Sequence, residues 1–232
     1  MLKFATLRSR VVPLMAANID TDVIVRIERL AQLPRDQLGP WAFEALRYLP
    51  DGRLNSDCAL NDAAFRDARI LVAGDNFGCG SSREGAVWAI LQAGIRCVIA
   101  PRFGNIFYSN CFQNGLLPIC LPADTVAALG KRALDGRLEL EVDLQAGQIR
   151  DGDGSVIGFA IEPLRRRMLL EGLDEIGLTL RRLPEIEDFQ RRDRDARPWI
   201  HDLAAPLNPP PPPAARPHPR PASPAPAPSP PS

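Results

Sequence analysis

Hydrophobic and polar positions follow two rhythms along this chain, and the rhythms alternate. Between residues 70 and 121, apolar runs of strand length separate segments with helical spacing. Ile70-Leu71-Val72-Ala73 reads as a buried strand, and the Gly-rich stretch after it as a loop. Ala86 to Ala93 then reads as a helix, with Val87, Ile90 and Leu91 on one face and Gly94 as its C-terminal cap. Ile95 to Ala100 predicts a second strand. Asn105 to Asn114 predicts a short helix with Ile106, Phe107, Asn110 and Cys111 on one side, closed by Gly115, and Leu116 to Leu121 a third strand. This is a βαβαβ order, so a parallel sheet is expected at the centre.

Beyond it the period changes to two. Leu138 to Leu144 alternates strictly, and turn signals at Gln145 to Gln148 and Asp151 to Gly154 set up antiparallel strands ending at Val156 to Ile161. A helix from Pro163 to Glu171 capped by Gly172, and a polar one from Pro184 to about Asp195, finish the patterned part. From Pro206 to Ser232 there are 14 prolines in 27 residues. A segment of that composition cannot build a core, so the domain is expected over residues 1–200 and a Pro-rich disordered tail over 201–232. The tail could be a plain extension or a proline-motif ligand for a partner domain.

Composition narrows the function classes. The chain has 232 residues and is 45% hydrophobic, enough to bury a core. Its 28 basic and 28 acidic side chains balance, which leaves no field for nucleic acid or an anionic membrane surface. No apolar run reaches the ~20 residues of a membrane span. Lys3, Arg8 and Arg10 before the run Val11 to Ala17 imitate a signal peptide, but the run is short and holds Pro13, so a soluble, uncleaved, cytoplasmic chain is expected. Cysteines 58, 79, 97, 111 and 120 are odd in number and show no Cys-x-x-Cys spacing, and both histidines, His201 and His218, lie at the C-terminal end. The expectation is a core with no disulfide framework, no metal site and no histidine base. Asp151, Asp153, Ser155 and Glu162 imitate a calcium loop, but Val156 stands where the turn needs Gly, and a hairpin turn fits better.

The candidate chemistry lies in Gly74-Asp75-Asn76-Phe77-Gly78-Cys79-Gly80-Ser81-Ser82-Arg83-Glu84, between a strand and a helix. Its glycines let a ligand approach the backbone closely. Ser81 and Glu84 have capping-box spacing, which would start the helix at Ser81 with free N–H groups facing the loop. Neither nucleotide-loop fingerprint is met, so a carboxylate is the expected anion, gripped by Arg83 through two parallel hydrogen bonds. The alternative is a strand-to-helix turn in which Ser81 only caps and Arg83 pairs with a nearby acid. Asn18-Ile19-Asp20-Thr21-Asp22 crowds polar groups before Val23-Ile24-Val25. It reads either as a solvated turn or as a polar lip beside the Gly-rich loop.

In that order and spacing, Asn18 to Asp22, Gly74 to Glu84 and Asn114-Gly115-Leu116-Leu117-Pro118 resemble the small-subunit family of 3-isopropylmalate dehydratase, a swivel domain of the aconitase superfamily. The resemblance covers about residues 1 to 200, including Gly172 to Leu180. It implies an α/β fold: a single swivel-type β/β/α domain with a central mostly parallel sheet. It implies a hydro-lyase that isomerises 2-isopropylmalate and 3-isopropylmalate through an enoic acid, in leucine biosynthesis. Catalysis would require a separate large subunit that carries a 4Fe-4S cluster, with no cofactor or metal held by this chain. In the family's pattern Ser81 is the base and Arg83 binds substrate carboxylate; Gly80 and Ser82 are expected to bind substrate with Arg83, and Asp20, Thr21 and Asp22 to form the supporting polar lip. A free hydroxyl is far too weak an acid for that role unless helix N–H groups and Arg83 stabilise the alkoxide in a closed site. Two positions depart from the pattern: Gly85 stands where the family has His, and Val23 to Leu30 replaces an Ile-Ile-Pro and Phe-Leu sequence. They leave open another small 2-hydroxy di- or tricarboxylate substrate, or a module that kept the loop and lost catalysis.

Overall fold

Strand β1 (Thr6–Leu14) holds the sheet together by changing partners halfway along. Its first half, Thr6 to Arg10, runs antiparallel to β5 (Glu139–Asp143), while Val11 to Leu14 runs parallel to β2 (Ile70–Ala73). Outward from β2 lie β3 (Cys97–Ala100) and β4 (Leu117–Cys120), both parallel, and outward from β5 lie β6 (Gln148–Asp151) and β7 (Val156–Gly158), both antiparallel. The seven-stranded order is β4-β3-β2-β1-β5-β6-β7. The computed structural model describes residues 1–80 and 84–201. They fall into two units, one of residues 1–182 and one beginning at Leu183.

Pro13 is tolerated inside this sheet for a positional reason. Val11 donates toward the β5 side, to Leu138 O at 3.1 Å, so by strand alternation Pro13 also faces that side, past the end of the antiparallel ladder at Arg10. Its missing donor is not needed there. The first four residues of the run Val11 to Ala17 are the parallel half of a central strand.

All four residues of β2 and of β3 are fully buried, because helices cover both faces. On one face Val12, Leu71, Ala73 and Val98 pack against α4 (Glu84–Gln92) and the segment from Ile19 to Ala68. On the other, Val11, Ile70, Val72, Cys97 and Ile99 pack against α6 (Ala123–Ala133) and α7 (Pro163–Glu171). Helix α5 (Asn105–Asn114) sends Phe107 and Cys111 to the first cluster and Phe112 to the second. Ile106, expected on its inner face, is 50% exposed. Gly115 and Gly172 end α5 and α7 in left-handed conformation, as the sequence pattern predicts.

The segment between the two halves of the site is broken into short pieces: α1 (Thr21–Ile24), α2 (Ile27–Gln32), α3 (Glu44–Arg47) and several 3-10 turns. Short α8 (Glu175–Leu180) closes the first unit. The second unit holds α9 (Leu183–Ala196) and α10 (Pro198–His201), in which His201 lies 3.0 Å from Asp193. At the calcium-like stretch Arg132 bonds both Asp151, at 2.8 Å, and Asp153, at 2.9 Å, and Asp151 also accepts from the backbone of Asp153 and Ser155. Those acids are neutralised within a hairpin turn. Residues 202–232, including the Pro-rich tail, lie outside the described residues.

Candidate functional site

Two polar segments distant in sequence are zipped together at the C-terminal ends of the parallel strands. Asn18 N donates to Asp75 O at 2.9 Å, Gly78 N to Ile19 O at 2.7 Å, and Thr21 N to Cys79 O at 3.0 Å, with Asp20 and Cys79 paired as a parallel bridge. Asn18 and Asn76 both adopt left-handed backbone, which asparagine tolerates, and Asn76 Nδ2 donates to Asn18 Oδ1 at 2.8 Å. The polar lip and the Gly-rich loop are thus one structure. A crevice beyond the carboxyl ends of parallel strands is where open α/β sheets bind ligands.

The loop is clamped on its other side by residues 102–104. Phe77 N donates to Arg102 O at 3.0 Å and Gly104 N to Phe77 O at 2.9 Å. Arg102 also forks onto Asp75, with Nε to Oδ1 at 2.9 Å and Nη2 to Oδ2. That guanidinium holds the Asp75 carboxyl below its ordinary value. Between the clamps Phe77 is completely buried, with its ring 5.5 Å from Phe107 and 6.3 Å from both Phe43 and Phe103. Burying a Phe ring contributes roughly 1.5 to 3 kcal/mol, so the loop is pinned from inside. Gly78 is required where it stands: its φ is +70°, and a Cβ there would lie 2.3 Å from Phe107 Cγ.

Within the lip, Asp20 caps α1, accepting from Val23 N at 2.7 Å. Thr21 is 1% exposed, and Asp22 is exposed in the first turn of α1. Gly80 carries the loop out past these residues; its Cβ direction points to Asp20 Cβ at 3.4 Å and Thr21 Oγ1 at 3.8 Å. Of the sequence-predicted site, the structure therefore brings Gly80, Asp20 and Thr21 together. Ser81, Ser82 and Arg83, with the expected cap at Ser81, lie outside the described residues. The chain resumes at Glu84, the first described residue of α4.

Sequence reasoning gave no role to the side chain of Asn114, which joins two helices here. It is 9% exposed, and its Nδ2 donates to Glu84 Oε1 at 2.7 Å and to Asn110 O at 3.0 Å. Its Oδ1 accepts from Trp88 Nε1 at 2.9 Å and Arg35 Nη2 at 3.3 Å. Arg35 stacks over the Trp88 ring at 5.0 Å. A cleft of about 400 Å³ lined by Arg35, Glu84, Gln113, Asn114 and Glu175 opens over this group. The available signal was a polar residue immediately before a helix-ending glycine.

No described residues could hold a metal: no group of three or more His, Cys, Asp or Glu is gathered among them. Cys58, Cys97 and Cys111 are buried, and burial pushes the thiols of Cys97 and Cys111 well up. Among the described residues no helix is long and apolar enough to cross a membrane.

Known proteins share both halves of this arrangement. The family model of the aconitase C-terminal domain matches residues 1–124, and the model for the C-terminal domain of the 3-isopropylmalate dehydratase small subunit matches residues 175–202. The 3-isopropylmalate dehydratase small subunit of Roseobacter denitrificans is 48% identical over 199 residues, covering 85% of this chain and 99% of the relative. That of Gluconacetobacter diazotrophicus is 50% identical over 200 residues, covering 86% and 97%. The crystal structure of a 3-isopropylmalate dehydratase from Methanocaldococcus jannaschii superimposes with a TM-score of 0.60 at 27% identity, covering 79% of this chain and 99% of that one.

Proposed function

Because this chain belongs to the family of 3-isopropylmalate dehydratase small subunits, we propose that it works as one half of a hydro-lyase that interconverts 2-isopropylmalate and 3-isopropylmalate in leucine biosynthesis. The observation that carries the site assignment is the pairing of Asp20 with Cys79, which seats the polar lip against Gly80, directly before Ser81-Ser82-Arg83. On this reading Ser81 takes the proton from the carbon next to a substrate carboxylate. Arg83 grips that carboxylate, and Gly80 and Ser82 let it approach the backbone. Asp20, Thr21 and Asp22 hold the lip in register. The clamps fix the loop as far as Gly80, and positioning of that kind contributes to rate.

A 4Fe-4S cluster would supply a Lewis acid for the departing hydroxyl. The described residues of this chain do not form a set of ligands for one, so the cluster is assigned to a large subunit, and the active site is built between two chains. The complex is proposed to be soluble and cytoplasmic. The observation that no described helix could cross a membrane agrees with it.

The test is co-purification with an isopropylmalate dehydratase large subunit, cluster reconstitution, and ultraviolet detection of the enoic acid formed from 2-isopropylmalate. Turnover by the complex and none by either chain alone is expected. A large subunit that is active with another small subunit and stays inactive with this one would overturn the reading. Turnover of a different 2-hydroxy di- or tricarboxylate in the same panel would move the substrate and keep the reaction.

A further inference from the structure

We infer that Asn114 is a positioning residue for substrate binding, acting through Glu84 on the loop-to-helix junction. The inference rests on the proposed roles of Ser81 and Arg83 and adds a residue that stands outside them. Four polar groups converge on the Asn114 amide, and their chemistry leaves it one orientation. Trp88 Nε1 and the Arg35 guanidinium can only donate, so they face Oδ1; the Glu84 carboxylate and the Asn110 carbonyl can only accept, so they face Nδ2. Both N–H groups and both lone-pair directions of the amide are used, in a side chain 9% exposed. A saturated polar group at that burial is rigid, since any rotation strands several partners at once.

What that rigidity fixes is Glu84, the residue immediately after Arg83 in sequence. One end of the Gly-Ser-Ser-Arg stretch is held by the lip through Cys79 and Thr21, the other by Asn114 through Glu84. The second anchor comes from the last residue of α5, whose Phe107 also underlies Gly78. A single helix therefore touches described residues on both sides of that stretch, Gly78 before it and Glu84 after it. Misplacing a substrate-gripping group by about 1 Å is enough to cost on the order of 100-fold.

The test uses the assembled complex with 2-isopropylmalate and three variants. Asn114→Asp keeps acceptors for Trp88 and Arg35 and sets a carboxylate against Glu84. It is expected to raise KM about ten-fold or more while kcat changes less than about three-fold. Adding Glu84→Gln gives the new carboxylate a donor in place of a like charge, and should return KM to within about two- to three-fold of the unmodified complex. Trp88→Phe removes a donor from the same amide without touching Glu84. It should lower the thermal midpoint and change KM by less than about three-fold, since the bond from Asn114 to Glu84 remains. An unaltered KM in Asn114→Asp, or an equal rise in Trp88→Phe, would overturn the inference, because the first removes the effect and the second makes it ordinary packing loss. Inactivity of the unmodified complex would instead count against the proposed function.

Discussion

Gly85 and Leu30 occupy one space. A Cβ on residue 85 would lie 2.5 Å from Leu30 Cδ2 and 2.7 Å from its Cδ1, closer than real side chains pack. The two departures from the pattern that the resemblance implies, no histidine in the first turn of α4 and an altered stretch after Asp22, therefore meet in space. The side chain of Leu30 covers the room that a larger residue 85 would fill. The glycine thus reflects repacking beside the loop, and by itself gives no ground for reading the site as disabled.

Gly85→Ala should read differently depending on residue 30. Alanine gains roughly 1 kcal/mol of helix propensity, while forcing a methyl against Leu30 costs about 1 to 3 kcal/mol. In the native background the change should be neutral to destabilising by about 2 kcal/mol. In a Leu30→Ala background, with the obstruction gone, it should stabilise by about 1 kcal/mol. Denaturant unfolding of the four proteins measures the cycle, and equal effects in both backgrounds would show that the two residues are uncoupled.

Replacement of Ser81 by Asn, assayed in the complex with the large subunit, should abolish turnover by several powers of ten, because an amide oxygen cannot serve as the base. Arg83→Lys keeps the charge and loses the two-pronged grip, so it should act mainly on KM. Near-normal kcat in the Ser81→Asn complex would remove Ser81 from the chemistry.

Acid should unfold this protein through its paired carboxylates. Arg102 holds the Asp75 carboxyl below its ordinary value of 3.8, Arg132 does the same to Asp151, and Arg29 holds Glu44 below 4.5. In each case the folded value is the lower one, so the unfolded chain takes up protons first as pH falls. The stabilisation is full above the ordinary values and disappears as pH drops through the folded ones. The thermal midpoint should be flat between about pH 7 and 5 and fall below about pH 4. Asp75→Asn should lower it at pH 7 and lose that difference once pH has fallen through the folded value, where the native carboxyl is protonated too. A difference independent of pH would show that the Arg102 pair is not its source.

Cys97 and Cys111 should be silent to a disulfide reagent at pH 8 while the protein is folded. Both are completely buried and desolvation pushes both thiols up, so neither offers a thiolate nor access to one. The exposed Cys120 should react before this buried pair, although desolvation raises its thiol as well, and Cys120→Ser should remove that phase. Rapid labelling of Cys97 or Cys111 would reveal local opening of the sheet or of α5.

Where a short stretch of chain carries its own instructions, the sequence by itself determined the outcome. The apolar runs at 70–73, 97–100 and 117–120 are largely buried on both faces, and with helices between them in sequence a parallel sheet covered by helices gives strands that environment. Period-two alternation placed β5, and glycines placed the ends of α5 and α7, because face and cap are local properties of a dozen residues or fewer. The Gly-rich loop was legible as a site for the same reason.

Only the tertiary structure decided what depends on a distant partner. Strand β1 is illegible in sequence because Leu7, Ser9 and Val11 alternate among exposed Thr6, Arg8 and Arg10 while Val11 to Pro13 run buried, a mixed signal that makes sense only with an antiparallel neighbour on one half and a parallel one on the other. Helix α6 escapes the pattern although Val126, Leu129, Gly130 and Ala133 recur at helical spacing, since its apolar residues are few and Gly130 breaks the pattern until Met15 is seen lying over it. The loop was visible in sequence and the lip at Asn18 to Asp22 was one of two readings there, but the hydrogen bonds that join lip to loop and the clamp at Arg102 to Gly104 were not. Neither was the fit of Leu30 over Gly85, nor the hold of Asn114 on Glu84. Each of these pairs joins separate elements far apart along the chain, and no window of local pattern contains both members.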